Sequence, residues 1–365
     1  MSGLVTNHFI PVKSPITQKT YNIMVKQFGD GKNFKILISN GGPGSGFEYM
    51  VPPFLQLIPY GFTLYFYYQL GNSPSDNPSV YHPQGDTTGL VNSDYSIEYY
   101  AAELEQVRSY LNIQGPKNYI LGHSFGGMIM FQWAKDFPQS VNLMTSGLIF
   151  SSGVSSIPRY IEYTNQVLSR LPVNIQKILS DPKDPQFKDI SNKYYNDIYI
   201  LQIRPRPPAV KETKQNHELY VYLQGPSEFI VSGTLQNFDI RYVLPSIKVR
   251  TLTIGGKLDS VDPELLKEDA MMMPNGELHL TNGSHNCYWD DSVNYFNALL
   301  KFLKQPVLNP QINYSLSSFN YNLQDESKYL NEESNNSLDL TLSPALYQGQ
   351  TFFSKINTFL NNNLF

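Results

Sequence analysis

A serine flanked by glycines, Gly122-His-Ser-Phe-Gly126, stands where the apolar run Tyr119-Ile-Leu121 gives way to residues of helical character, Met128 to about Phe137. G-x-S-x-G between a strand and a helix describes a strained turn that lifts a serine hydroxyl above a sheet. Neighbouring backbones approach closely at such a turn, so the flanking positions must lack side chains. A serine hydroxyl is a poor nucleophile at neutral pH; Ser124 needs a base, and the base needs an orienting carboxylate. In this strand–turn–helix setting the chain order is serine, acid, histidine. Asp259 follows the strand expected at Val249–Ile254, and His285 lies in the loop after the last strand expected, Glu277–Leu280. Asp262 is a rival acid, and Asp259 is preferred because it is nearer the strand end. No acid stands just after the strand expected at Leu143–Phe150, which removes the usual alternative position. His123 lies inside the turn and cannot easily reach round to Ser124, while His8, His82, His217 and His279 have no comparable context.

Acyl transfer also needs two backbone N–H groups aimed at one point. One comes from the residue after the nucleophile and one from a loop after an early strand. Phe125 and Gly42 are the candidates; Gly42 belongs to the loop Asn40-Gly-Gly-Pro-Gly-Ser-Gly46, directly after the strand expected at Lys35–Ser39. That loop is not read as a phosphate cradle: no Lys-Ser/Thr follows the glycines, and Pro43 removes a donor. No H-E-x-x-H or Cys/His cluster is present, so neither a metal nor another cofactor is expected. Cys287 lies near His285; burial is expected, and a thiol reagent reaching it would block the site.

The elements that must carry these residues alternate between strand and helix. Strands are expected at His8–Val12, Tyr21–Phe28, Lys35–Ser39 and Phe62–Tyr68, the last aromatic-rich and fully buried. A helix with prolines near its start is expected from Phe47 to about Pro59, and another at Ile97–Leu111 behind a Ser96 cap, with Glu98, Glu103 and Glu105 on its solvated face. The stretch through Asn92 reads as surface loop. From Ser151 to about Leu244 the apolar runs turn helical: Ile157–Leu171, Val173–Leu179, Gln186–Gln202 and Pro208–Leu223. Sheet texture then returns, with closing helices at Leu265–Met272 and Ser292–Leu303. The organisation expected is an α/β core (1–150 and 246–305) with a mostly parallel sheet, an inserted helical cap (151–245), and a C-terminal extension (306–365) in which Tyr347–Leu364 has amphipathic character.

Composition narrows the class. The chain has 365 residues, is 41% hydrophobic and carries a net charge of −4, enough for one large core with an inserted or appended domain. No Lys/Arg run points to nucleic acid; Arg204 and Arg206 lie among prolines, with Lys211 and Lys214 after them. No segment approaches the roughly 20 apolar residues of a membrane span. One cysteine allows no intrachain disulfide, and the first residues lack a signal-like apolar core, so a cytoplasmic protein is expected.

Over about residues 20 to 304 the sequence resembles the proline iminopeptidase family of α/β-hydrolases, including its tricorn-interacting aminopeptidase branch. The resemblance rests on Gly41-Gly-Pro-Gly44, Gln69-Leu-Gly71, Gly122-His-Ser-Phe-Gly-Gly127, Tyr194-Tyr195 through Arg204-Pro-Arg-Pro-Pro208, Gly225-Pro-Ser-Glu-Phe229, Ser232-Gly-Thr234, Asp259 and Ser284-His285. It implies release of an N-terminal residue, often proline, from short peptides with a free N-terminus, with Ser124 as nucleophile, His285 as base and Asp259 as orienter. It also implies that Glu228 holds the substrate's α-ammonium, against the alternative of a salt bridge within the cap. Such a charge-assisted contact is worth about 1.5–3 kcal/mol. The sequence departs from the family pattern at Asn40, where His is usual, at Tyr68, where Asp is usual, and at Ser260, where a second amine-binding Glu often follows the acid. Asp262 or another acid could stand in for that Glu. The alternatives are an esterase or amidase on the same machinery without amine anchoring, which Ser260 favours, and a non-catalytic ligand-binding relative.

Overall fold

Uninterrupted apolar or aromatic runs such as Ile36–Ile38 and Leu64–Tyr67 mark strands covered on both faces. The structure, a computed structural model, describes residues 5–79, 93–144 and 146–306. The strands are β1 (Val5–Lys13), β2 (Thr20–Phe28), β3 (Phe34–Ser39), β4 (Phe62–Tyr67), β5 (Asn118–His123), β6 (Leu148–Ser151), β7 (Thr251–Gly256) and β8 (Gly276–Thr281). They form one 8-stranded sheet in the order β1-β2-β4-β3-β5-β6-β7-β8. β2 pairs antiparallel with both β1 and β4, and every later neighbour is parallel. Strands β4, β6 and β7 are buried at every position. β1, at the sheet edge, begins with alternating exposed and half-buried residues.

The helices are α1 (Val51–Phe54), α2 (Ile97–Tyr110), α3 (Phe125–Asp136), α4 (Pro138–Asn142), α5 (Ile157–Ser169), α6 (Val173–Leu179), α7 (Phe187–Ser191), α8 (Pro208–Glu212), α9 (His217–Leu223), α10 (Pro263–Met272), α11 (Cys287–Asp290) and α12 (Ser292–Phe302). Trp133 of α3 is fully buried, and Phe131 stacks on Phe150 of β6 with ring centroids 4.3 Å apart. Helices α5 to α9 all lie between β6 and β7 in the chain. From β3 the chain reaches β4 on one side and later β5 on the other, so the strand order reverses at the carboxyl ends of β3 and β5. A ligand crevice forms at such a reversal.

Several local expectations are corrected. β6 begins at Leu148 rather than Leu143, because α4 continues the helical path after α3 and ends with a cap at Leu143. Phe47–Pro59 is not one helix: short 3₁₀ turns flank α1, and Pro52, Pro53 and Pro59 each lack the N–H a continuous helix needs. Gln186–Gln202 divides into α7 and a π-helix, Asn192–Ile200, and Pro208–Leu223 breaks between α8 and α9. Glu103 and Glu105 are not on a solvated face: Glu103 is fully buried, and Glu105 accepts from Arg108, Trp133 and Ser140. Residues 80–92 of the expected surface loop and the expected helix at Tyr347–Leu364 lie outside the described residues.

Candidate active site

Ser124 is the single residue between β5 and α3 and has φ 55° and ψ −117°, a conformation that costs an L-residue on the order of 1–3 kcal/mol. The turn is held by Ser124 N–H donating to the Ser151 carbonyl at 3.0 Å. Gly126 has no room for a side chain, since a Cβ there would lie 2.1 Å from the Ser39 carbonyl oxygen. The expected helix therefore starts earlier than Met128, directly after the serine.

Asp259 and His285 meet at the ends of β7 and β8. His285 Nδ1 lies 2.7 Å from Asp259 Oδ1, which also accepts the Val261 N–H at 2.9 Å. Asp259 Oδ2 accepts the Ser152 hydroxyl at 2.5 Å. Burial pushes the Asp259 carboxyl up, but the charge and hydrogen bond of His285, with the donors from Ser152 and Val261, outweigh it and hold the group below the ordinary carboxylate value. The rival acid is engaged elsewhere: Asp262 accepts the Glu264 N–H at 3.0 Å, capping α10, and lies 3.9 Å from Arg159.

Gly42, Ser124, Phe125, Glu228, Ser260 and His285 line one cavity of about 300 Å³. Phe125 is the first residue of α3, where backbone N–H groups have no intrahelical acceptor. The loop bearing Gly42 is braced from inside: Asn40 Nδ2 donates to the carbonyls of Gly41 (2.9 Å) and Ser45 (2.7 Å). The Tyr68 hydroxyl donates to Glu48 Oε1 at 2.6 Å.

Glu228 projects into the cavity from the segment after α9. Tyr160 donates to its Oε2 at 2.5 Å and Tyr220 to its Oε1 at 2.6 Å. No Lys or Arg pairs with Glu228 among the described residues, so the expected alternative, a salt bridge within the cap, is not what holds it. Burial first, and then the Glu228 charge, push the Tyr160 and Tyr220 hydroxyls well above the ordinary tyrosine range, so both remain donors. Sequence reasoning missed both tyrosines and Ser152. Their only signal was composition, 26 Tyr in 365 residues, which does not single out positions. Cys287 is fully buried, as expected, and burial pushes its thiol well above the ordinary value, which makes it a poor target for thiol reagents.

The family model that matches residues 36–199 is that of the α/β hydrolase fold. A proline iminopeptidase of Flavobacterium johnsoniae is 31% identical over 308 residues, covering 80% of this chain and 97% of the relative. One from Chitinophaga pinensis is 31% identical over 309 residues, covering 81% and 97%. The crystal structure of a proline iminopeptidase from Mycobacterium smegmatis superposes with a TM-score of 0.67 at 19% identity, covering 82% of this chain and 98% of that one, a likeness of fold. Joined to a serine on a strained strand–helix turn, this extent of similarity establishes that the chain belongs to the proline iminopeptidase family of α/β-hydrolases.

Proposed function

We propose that the protein is a serine aminopeptidase that releases N-terminal proline, or a small apolar residue, from short peptides. The observation that carries this reading is Glu228: a carboxylate oriented by two tyrosine hydroxyls, unpaired with any cation among the described residues, in the same cavity as Ser124 and His285. A free α-ammonium is the complementary group. Apolar walls from Met128, Val154, Ile157 and Val261 suit a small apolar side chain beside it.

In this mechanism Ser124 Oγ attacks the carbonyl carbon of the first residue while His285 Nε2 takes the hydroxyl proton. Asp259 fixes the ring through Nδ1–H and stabilises the imidazolium. The N–H groups of Phe125 and Gly42 receive the oxyanion. Collapse breaks the C–N bond, and the imidazolium proton goes to the departing amine. Water then repeats the sequence on the acyl-enzyme: its proton goes to His285, its oxygen to the carbonyl carbon, and Ser124 leaves with the proton returned. With one buried cysteine and no helix among the described residues long and apolar enough to cross a membrane, a cytoplasmic peptide-trimming role is the simplest setting.

An esterase or amidase is the second reading, favoured by Ser260, which brings a neutral hydroxyl to the cavity wall. Glu228→Gln separates the two. Under the aminopeptidase reading, kcat/KM for a free-amine prolyl amide falls about 10- to 150-fold, while a short-chain ester is hydrolysed as before. Equal loss on both substrates would make Glu228 a structural residue and remove the amine anchor.

A further inference from the structure

His123 is a buried titratable group inside the turn that presents Ser124, and the mechanism above does not use it. Its Nε2 lies 3.3 Å from the carbonyl oxygen of His285. A carbonyl only accepts, so Nε2 carries the proton. The ring is neutral, since burial and then the nearby His285 lower it to about 3. Nδ1 is therefore an acceptor, and the Tyr49 hydroxyl 2.9 Å away must donate to it. That leaves the Tyr49 oxygen to accept the Gly41 N–H at 2.8 Å. The bonds run in one direction, from Gly41 N–H through Tyr49 and His123 to the main chain of His285, and each polarises the next.

The ends of this chain are the segments catalysis must align. Gly41 precedes the oxyanion candidate Gly42, and a Cβ on Gly41 would lie 2.9 Å from both Ser124 Cβ and the Tyr49 hydroxyl. The loop thus packs against the nucleophile itself. Tyr49 is fixed in turn by Trp289, whose Nε1–H donates to its carbonyl at 2.8 Å.

We propose that Tyr49 and His123 are a positioning pair: one hydrogen-bonded strut that sets the oxyanion loop, the nucleophile turn and the base in register. Tyr49 Oη and both His123 nitrogens are committed to protein partners, so the pair acts through Gly41 and His285 and not on substrate. The proposal rests on the roles given to Ser124 and His285 but is independent of amine recognition by Glu228.

The test uses the full chain, with active sites titrated by a fluorophosphonate, and compares Tyr49→Phe, His123→Gln and the double variant on a free prolyl amide and a short ester. A misplacement of about 1 Å costs on the order of 100-fold, so kcat per titrated site should fall about 10- to 100-fold on both substrates, with KM within about twofold. The double variant should be no slower than the worse single, because the two side chains form one strut. Unchanged kcat in both singles, or losses that multiply, would overturn the proposal. Should a variant fail to fold, ¹⁵N shifts of the wild-type imidazoles decide: His123 protonated on Nε2 alone from pH 5 to pH 8 is expected, and the Nδ1–H form excludes the strut. Ser124→Ala separates the layers. Activity surviving there removes the underlying mechanism and this proposal with it, whereas a dead Ser124→Ala beside fully active Tyr49→Phe and His123→Gln removes the strut alone.

Discussion

Asp259 is fully buried yet held in its charged form, because each carboxylate oxygen receives donors: His285 and the Val261 N–H on Oδ1, Ser152 on Oδ2. A buried carboxylate with such partners is arranged to steady a positive ring beside it. Asp259→Asn can still fill the volume and accept a hydrogen bond, but it cannot stabilise an imidazolium. The account expects kcat to fall on the order of 10³- to 10⁴-fold with folding intact; a loss below about tenfold in steady-state assays would exclude the role. At this scale the pairing of Asp259 with His285, and the shared cavity of His285 and Ser124, were legible in the sequence, because the chemistry expected of them fixes residue types and their order. Ser152, Tyr160 and Tyr220 were not. They act as hydrogen-bond donors to acids, 107 residues away for Ser152, 68 for Tyr160 and 8 for Tyr220, and no local motif records such pairings. Of the two departures, Asn40 braces the glycine-rich loop through its carbonyls, whereas Tyr68 donates to Glu48.

Among the elements, α2 carries an unexpected burden. Glu103 on its inner face accepts the Leu70 N–H at 3.0 Å, while Tyr100 one turn away donates to the Leu70 carbonyl. Helical spacing placed Glu103 with Glu98 on a polar face. The structure instead turns it inward to satisfy the loop after β4, and burial pushes its carboxyl up to about 8. The folded value lies above that of the unfolded chain, so folding retains a proton between about pH 4.5 and about pH 8. Stability from this group is complete at the acid end of that window and is lost as pH rises through it. Wild-type Tm should therefore drop by on the order of 5 °C between pH 5 and pH 9, and Glu103→Gln, neutral throughout, should flatten most of that drop. Parallel thermal slopes for the two proteins would contradict it. Long apolar strands were legible in the sequence, as was α6, Val173–Leu179. The breaks were less so: the gap between α8 and α9 arises from tertiary pairing, because Gly46 N–H donates to the Lys214 carbonyl and Ser45 bridges Gln215.

For the molecule as a whole, those pairings join the helical insertion to the glycine-rich loop after β3. Asn216 N–H donates to the Gly44 carbonyl at 2.6 Å, while His285 N–H and Asn286 N–H donate to the carbonyls of Tyr199 and Ile200, each at 2.9 Å. Asp290 adds a side-chain clasp, accepting the N–H groups of Gln202 and Ile203 at 2.9 Å. The insertion therefore supplies main-chain acceptors that hold His285 and Asn286 and a main-chain donor that holds the glycine-rich loop at Gly44. It behaves as part of the site's wall and not as a detachable lid. Hydrogen exchange should show the amides of Gly46, Asn216, His285 and Asn286 protected to a degree comparable with β5; fast exchange at these positions with a protected sheet would mean the insertion swings freely. That Ser260 lacks charge leaves Glu228 as the sole acid lining the cavity among the described residues, so the central claim can be read from a single comparison. The measurement is the rate of nitroaniline release from a free prolyl nitroanilide beside its N-acetylated twin, with Ser124→Ala as control. Rapid cleavage of the free-amine compound, little or none of the acetylated one and none by Ser124→Ala is the predicted result. Equal cleavage of the two compounds, or turnover surviving in Ser124→Ala, would contradict the account.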